Sequence, residues 1–234
     1  MSKTLGILAG LGPLAGAHFY RRCIELTPAC SDAEHLSVVL ISERSIPSRL
    51  DHLANRGPSP GKALVAVAQR LVGAGAEVLA IPSTTTHAYY SEIVASVTVP
   101  VLNLVDLVAL EISRQGSLRA GIVATSPTRA YGLYDQAFAE YGIQAVYPDP
   151  KTQQEITTII DGVKSSGSNG SWGRRLVQAM GEAWAQDADS LVLACTETPV
   201  VFPRDSRNLQ TGDRQVFDAT DILARAAIAA CQLE

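Results

Sequence analysis

The chain repeats its own opening. Gly6-Ile7-Leu8-Ala9 returns 115 residues later as Gly121-Ile122-Val123-Ala124. Farther along, Ile81-Pro82-Ser83-Thr84-Thr85-Thr86-His87 and Leu193-Ala194-Cys195-Thr196-Glu197-Thr198-Pro199 each close an apolar, strand-like run with small hydroxyl or thiol residues, and Ser83 precedes Cys195 by 112 positions. A strand-then-loop pattern duplicated nearly in register constrains the chain to two halves built alike, each ending a strand on an equivalent loop. Two such halves facing across a cleft would place one loop on each side of a bound molecule. That geometry suits moving a proton from one face of a carbon to the other, yet only the second loop carries a thiol.

Short apolar runs bounded by polar, Gly or Pro residues predict buried parallel strands at Thr4–Ala9, Leu36–Ser42 and Val78–Pro82, then again at Arg119–Ala124, Gln144–Tyr147 and Ser190–Ala194. Between them, helical spacing is expected over Ala17–Leu26 and Gly61–Gly73, where Ala63, Val67 and Leu71 share a face. Later helices are expected at Thr128–Tyr141, Gln153–Lys164, Gly173–Gln186 and Asp218–Cys231, the last packing back onto the first half. Pro100 to Leu104 reads as a crossover, and the Gly- and Ser-rich stretch Ser165–Ser171 as a flexible loop or lid. The expected fold is α/β, with two pseudosymmetric lobes, each a mostly parallel sheet flanked by helices and the active site in the cleft between them. Residues 1–100 with 210–234 form the first lobe and 101–209 the second. Ligands of such sheets bind at the carboxyl ends of strands.

Charge and cysteine usage narrow the class. A net charge of −4 gives no electrostatic reason to expect nucleic acid or an anionic membrane as partner. No apolar run approaches the roughly 20 residues that span a bilayer, and the N-terminus lacks a signal-peptide pattern, so a cytoplasmic protein is expected. Cys23, Cys30, Cys195 and Cys231 are too scattered for a disulfide scaffold, and no Cys-x-x-Cys or His-Glu-x-x-His run points to a metal. Gly10-Leu11-Gly12-Pro13 is a tight strand-to-helix turn whose N–H groups can meet an anion. The next glycine, Gly16, falls wrongly for a dinucleotide fingerprint, which excludes a Rossmann dehydrogenase.

Several runs, in order along nearly the whole chain to about residue 203, resemble the aspartate/glutamate racemase family. They are Gly6 to Pro13, Phe19-Tyr20, Ile46-Pro47-Ser48-Arg49, Ile159 to Lys164 and Ala194-Cys195-Thr196-Glu197. The resemblance implies a cofactor-independent amino-acid racemase, usually dimeric, so a homodimer and a small dicarboxylic amino acid or related diacid are the partners it implies. Members pair two cysteines, one per lobe, as acid and base. Cys195 matches the second cysteine, and Ser83 stands at the first. Arg49 matches the position that holds a substrate carboxylate, and the motif match extends to Lys164 as a second anchor. The chain departs from the family at Ser83-Thr84-Thr85, where Cys-Asn-Thr is usual, at Ser48 within Pro-Asp-Arg, and at Thr198, where an apolar residue is usual.

Removing an α-proton needs a base near the operating pH and a donor on the opposite face. A thiol titrates at about 8.5 before any perturbation, and the backbone N–H groups of a strand-to-helix loop can lower it further; whether a neighbour does so at Cys195 depends on proximity in three dimensions. An alcohol is far weaker, and Ser83 needs a dedicated base to abstract a proton. His87, four residues on, is the nearest candidate, and the sequence leaves it open between relay and structural residue. Glu197 is open between orienting a substrate ammonium and capping the next turn. Leu11, Thr84, Thr85, Thr125 and Thr196 sit beside strand ends and can offer hydroxyl or backbone donors to a ligand, or serve as caps. Three functions fit: a racemase using Cys195 and Ser83 with a bias toward one enantiomer, a single-cysteine decarboxylase or isomerase of a small diacid, and a ligand-binding protein of weakened chemistry.

Overall fold

The computed structural model describes residues 2–168, 170–184, 187–202 and 215–232. Leu5–Ala9, buried at every position, forms β1, and Pro13–Leu26 forms α1. β2 (Val38–Ser42), α2 (Arg49–Leu53), α3 (Gly61–Gly73) and β3 (Val78–Ala80) follow. Together the strands make a parallel sheet ordered β2-β1-β3, with Ile7 paired to Leu40 on one side and Ala80 on the other. Val101 extends this sheet by a parallel bridge to Leu79, so the expected crossover at Pro100 to Leu104 begins as sheet backbone. Leu8, Leu64, Leu71, Leu79, Ile81 and Ile93 fill the core beneath it. α4 is Tyr90–Val94 and α5 is Leu104–Arg114.

The second sheet is also all-parallel, ordered β5-β4-β6-β7, from Arg119–Val123 (β4), Gln144–Val146 (β5), Ser190–Leu193 (β6) and Gln215–Asp218 (β7). Its helices are Ser126–Ala130 (α6), Leu133–Ala139 (α7), Pro150–Ser166 (α8), Gly170–Trp184 (α9) and Thr198–Val201 (α10). Ile156, Ile160, Leu176, Met180, Leu191 and Leu193 form its core. α11 (Ala219–Gln232) ends the described chain. Two compact units result: residues 1–107 with 220–234, and residues 108–219. The first division falls inside α5, seven residues beyond the lobe boundary read from sequence, and the second falls at the start of α11.

Each unit packs its repeat by the same device. A Cβ on Gly6 would collide with Leu79 and Ala76, and one on Gly121 with Leu191 and Ala188. All three positions recur at offsets of 115 and 112 residues, so the glycine lets the adjacent strand lie flush in both sheets. α11 is fastened within the first unit by Arg22. That guanidinium is 4% exposed and donates to both oxygens of Asp221, at 2.5 and 2.7 Å.

Two expectations need correcting. Ser165–Ser171 is mostly helix: α8 runs through Ser166 and α9 begins at Gly170, with Asn169 outside the described residues. The Ser165 and Ser166 hydroxyls donate back to the Gly162 carbonyl, so serine here terminates a helix instead of opening a lid. The helix expected over Thr128–Tyr141 divides at Gly132, whose φ of +58° ends α6 and starts α7. Gln186, expected to end the helix before β6, and residue 203, where the family resemblance fades, lie outside the described residues, as do positions 210–214 and 233–234 of the expected lobe.

Candidate active site

Parallel strands bring their carboxyl-end loops together, and in the first unit three of these converge. Gly10 follows β1 at φ +92°, with its Cα so close to Glu43 that a side chain would strike the Glu43 backbone at 2.5 Å. Only glycine lets the β1 and β2 loops touch there. Arg49, at the start of α2, donates Nη2 to the Leu11 carbonyl and so ties the β2 loop to the β1 turn. The Ser48 hydroxyl caps the same helix by accepting from the Asp51 N–H at 3.2 Å, a role aspartate at that position would also fill. α2 in turn packs on the 3-10 turn Thr84–Tyr89 that follows β3, where His52 and Tyr89 lie 5.9 Å apart.

Ser83 heads that turn, 3% exposed, with Thr84 and Thr85 buried beside it. Its Oγ accepts a hydrogen bond from Thr86 Oγ1 at 2.8 Å, which leaves the Ser83 hydroxyl hydrogen to donate elsewhere. His87 is the structural residue of the two roles left open. Its Nδ1 bonds the Ser83 carbonyl at 3.0 Å and its Nε2 accepts from the Leu104 N–H at 3.0 Å. Both ring nitrogens are occupied by backbone, so the imidazole is neutral and is not a base for Ser83 Oγ. Burial holds it below the ordinary histidine range.

The second unit gathers Thr125, Cys195, Thr196 and Glu197 at the ends of β4 and β6. The Ala194 and Cys195 N–H groups both donate to the Val123 carbonyl, at 3.0 and 3.1 Å, which turns the chain sharply as β6 ends. Thr198 then closes the turn: its N–H and hydroxyl reach the Cys195 carbonyl at 2.9 and 2.7 Å. Thr125 pairs its hydroxyl with Thr128 at 3.1 Å, and Gln153 Nε2 holds the Ala124 carbonyl at 2.9 Å. Thr86, Thr128 and Gln153 escaped the sequence reading. For Thr86 a signal existed, since it occupies the same place in the repeat as Thr198.

Cys195 is 8% exposed and Glu197 4%. The thiol meets Glu197 Oε2 at 3.0 Å, while Glu197 Oε1 is buried without a hydrogen-bond partner among the described residues. The Glu197 backbone N–H does act to lower the thiol's pKa, but it does not prevail. Burial, and after it the Glu197 carboxylate, push the Cys195 thiol well above its ordinary value, and the Lys164 charge opposes them without prevailing. Lys164 itself is exposed on α8, within electrostatic reach of the sulfur. Glu197 stands at the N-cap of α10 but makes no side-chain cap bond, so the capping role also falls away. Of the other cysteines, Cys23 is buried and its thiol is pushed up to about 12, Cys231 is buried, and Cys30 is exposed. No cluster of metal-ligating residues occurs among the described residues, and none of their helices is long and apolar enough to cross a membrane.

Residues 8–227 match the family model described as Asp/Glu/Hydantoin racemase. The chain is 25% identical over 228 residues to the broad specificity amino-acid racemase RacX of Bacillus subtilis, covering 96% of each. Among solved structures it is similar to the Picrophilus torridus aspartate racemase, with a TM-score of 0.86, 27% identity and coverage of 98% of this chain and 94% of that one. The glutamate racemase of Francisella tularensis, solved with D-glutamate, shares the fold at a TM-score of 0.68 and 13% identity, over 96% of this chain and 79% of that one.

Proposed function

The chain belongs to the Asp/Glu/hydantoin racemase family and is an amino-acid racemase; from that premise we propose that it acts on aspartate or glutamate by an unequal pair, Cys195 and Ser83. What carries the reading is the buried Cys195 thiol, held on a carboxylate at the end of β6 in a chain of this family. Cys195 removes the α-hydrogen from one hand of the substrate as a proton. Ser83 delivers a hydrogen to the other face of the carbon and regains one from water. Among the described residues, nothing bonded to Ser83 Oγ accepts a proton from it: Thr86 donates to it, and His87 is committed to backbone. Abstraction therefore runs well from the thiol side and poorly from the alcohol side.

A dicarboxylate substrate needs cations for its two carboxylates. Arg49 fits this role from the first unit, poised on the Leu11 carbonyl, and Lys164 fits it from the second, where its charge reaches Cys195. Thr84, Thr85, Thr125 and Thr196 supply hydroxyl and backbone donors to the same ligand. The two-domain division read from sequence, a homodimer, a cytoplasmic location and independence of any cofactor belong to this proposal.

Deuterium exchange tests it. L- and D-aspartate and L- and D-glutamate incubated with the protein in deuterated buffer are expected to gain α-deuterium, at clearly unequal rates from the two hands of the true substrate. Absence of exchange from all four would overturn the aspartate/glutamate reading and leave a racemase of another amino acid in its place.

A further inference from the structure

Cys195 and Glu197 form a pair that is almost wholly buried, with Sγ and Oε2 3.0 Å apart. As drawn by its hydrogen bond, the pair holds one proton, on sulfur, and one negative charge, on the carboxylate. Releasing that proton to water would leave two negative charges side by side with little solvent to screen them. Passing it from sulfur to oxygen leaves the pair's net charge unchanged. The internal transfer therefore escapes the penalty that holds the free thiol protonated.

Two further observations favour this route. Glu197 Oε1 is buried and accepts no hydrogen bond from the described residues, so part of the carboxylate's charge has no donor to compensate it, and a proton arriving on the group removes that deficit. Lys164 acts on the other partner, since its positive charge favours the thiolate. The repeat adds a third: 112 residues earlier the place of Glu197 is held by Thr85, beside a serine. The carboxylate accompanies the sulfur and is missing where the sulfur is missing.

We infer that Glu197 takes the Cys195 thiol proton and holds it while the thiolate acts, making it a positioning residue that works through Cys195. The S–H bond breaks as an O–H bond forms on Oε2. The sulfur lone pair then takes the substrate's α-hydrogen as a proton, and the C–H electron pair stays on the substrate. At that point the pair holds two protons and no charge, and the substrate carries the negative charge until the other face is protonated. This inference rests on the racemase reading for its substrate, but not for its test.

The test is the rate at which Cys195 is alkylated by iodoacetamide in substrate-free protein, read by peptide mass spectrometry from pH 5 to 9. An unassisted thiol gains reactivity about tenfold per pH unit below its own titration. In the wild type, a plateau is expected across neutral pH, because the thiolate arises by internal transfer at fixed total protonation. Glu197→Gln should lower the rate at pH 7 by about tenfold or more and restore the tenfold-per-unit slope, while Glu197→Asp keeps the plateau. The competing view, in which Glu197 is only a negative neighbour, gives the opposite sign. Removing its charge would then speed alkylation at pH 7, and that result overturns the inference, as does a wild-type profile that rises steadily with no plateau. Should Glu197→Gln fail to fold, the wild-type profile alone decides. A plateau together with no α-deuterium exchange from aspartate or glutamate would sink the aspartate/glutamate reading and leave the proton-sharing pair intact.

Discussion

The loops after β3 and β6 share one turn and differ in the side chains they carry. In each, the carbonyl of the leading residue, Ser83 or Cys195, accepts from the N–H three residues on, Thr86 at 3.2 Å and Thr198 at 2.9 Å. A second donor finishes each turn, the His87 ring in the first and the Thr198 hydroxyl in the second. The turn is common to both loops; the chemistry they present is not. One loop offers an alcohol that accepts from a neighbouring threonine, and the other a thiol resting on a carboxylate. The repeat has kept the means of placing a group at a strand end while letting an alcohol stand in one loop and a thiol in the other.

The harshest way to break this comparison is to remove the sulfur. Cys195→Ala should cut α-deuterium exchange by about a thousandfold or more, since it takes away the group that abstracts the proton, and the serine loop has no base with which to substitute. Exchange surviving within tenfold would mean that the loops do not differ in the way described. Restoring symmetry is gentler. Ser83→Cys places a thiol where Thr86 already donates to the leading side chain, and exchange from the slow hand should rise about tenfold and approach that of the fast one. The gain stays modest because Thr85, not a carboxylate, stands where Glu197 stands in the other loop. Unchanged rates from both hands would remove Ser83 from the proton path.

How far these loops could be read in advance depended on whether the decisive contacts were local. β1, β4 and β6 are buried on both faces, apart from the half-buried Arg119 that opens β4, and announced themselves through their apolar stretches. β7, four residues at a sheet edge with an exposed Gln215 and a half-buried Val216, carried no such run and was missed. Ser165–Ser171 misled because serine and glycine signal loops locally, whereas Ile159, Ile160 and Val163 lock α8 into the core just upstream. The candidate residues themselves were legible as motifs in a repeat. Their electrostatics were not: His87 was decided by the Leu104 N–H, 17 residues away, and the Cys195 thiol by burial beneath helices distant in sequence. Ionisation depends on solvent access and on neighbours, and spacing along a chain reports neither.

The smallest expected difference between the loops is in their response to acid. His87 fastens the serine loop, and its counterpart 112 residues on is Pro199, which does not titrate. Nε2 accepts from the Leu104 N–H, so protonating the ring would set two donors against each other in a buried site, consistent with its lowered pKa. The unfolded chain binds a proton at this histidine near pH 6.5, and the folded one only at lower pH. Below about 6.5 the unfolded state therefore holds more protons, and stability falls as pH falls, by at most about 1.4 kcal/mol per pH unit, until the folded pKa is reached. Carboxylates held low by their partners, such as Glu43 on Ser45 and Arg70, contribute their own loss only in more acidic solution, so pH 5 to 6.5 reports the histidines. Thermal melts across that window should show the wild type losing stability faster than His87→Gln, with the two converging above pH 7 apart from a constant offset. Parallel curves would show that His87 is protonated as readily in the folded protein as in the unfolded chain. The acid-sensitive tie assigned to the serine loop would then be absent.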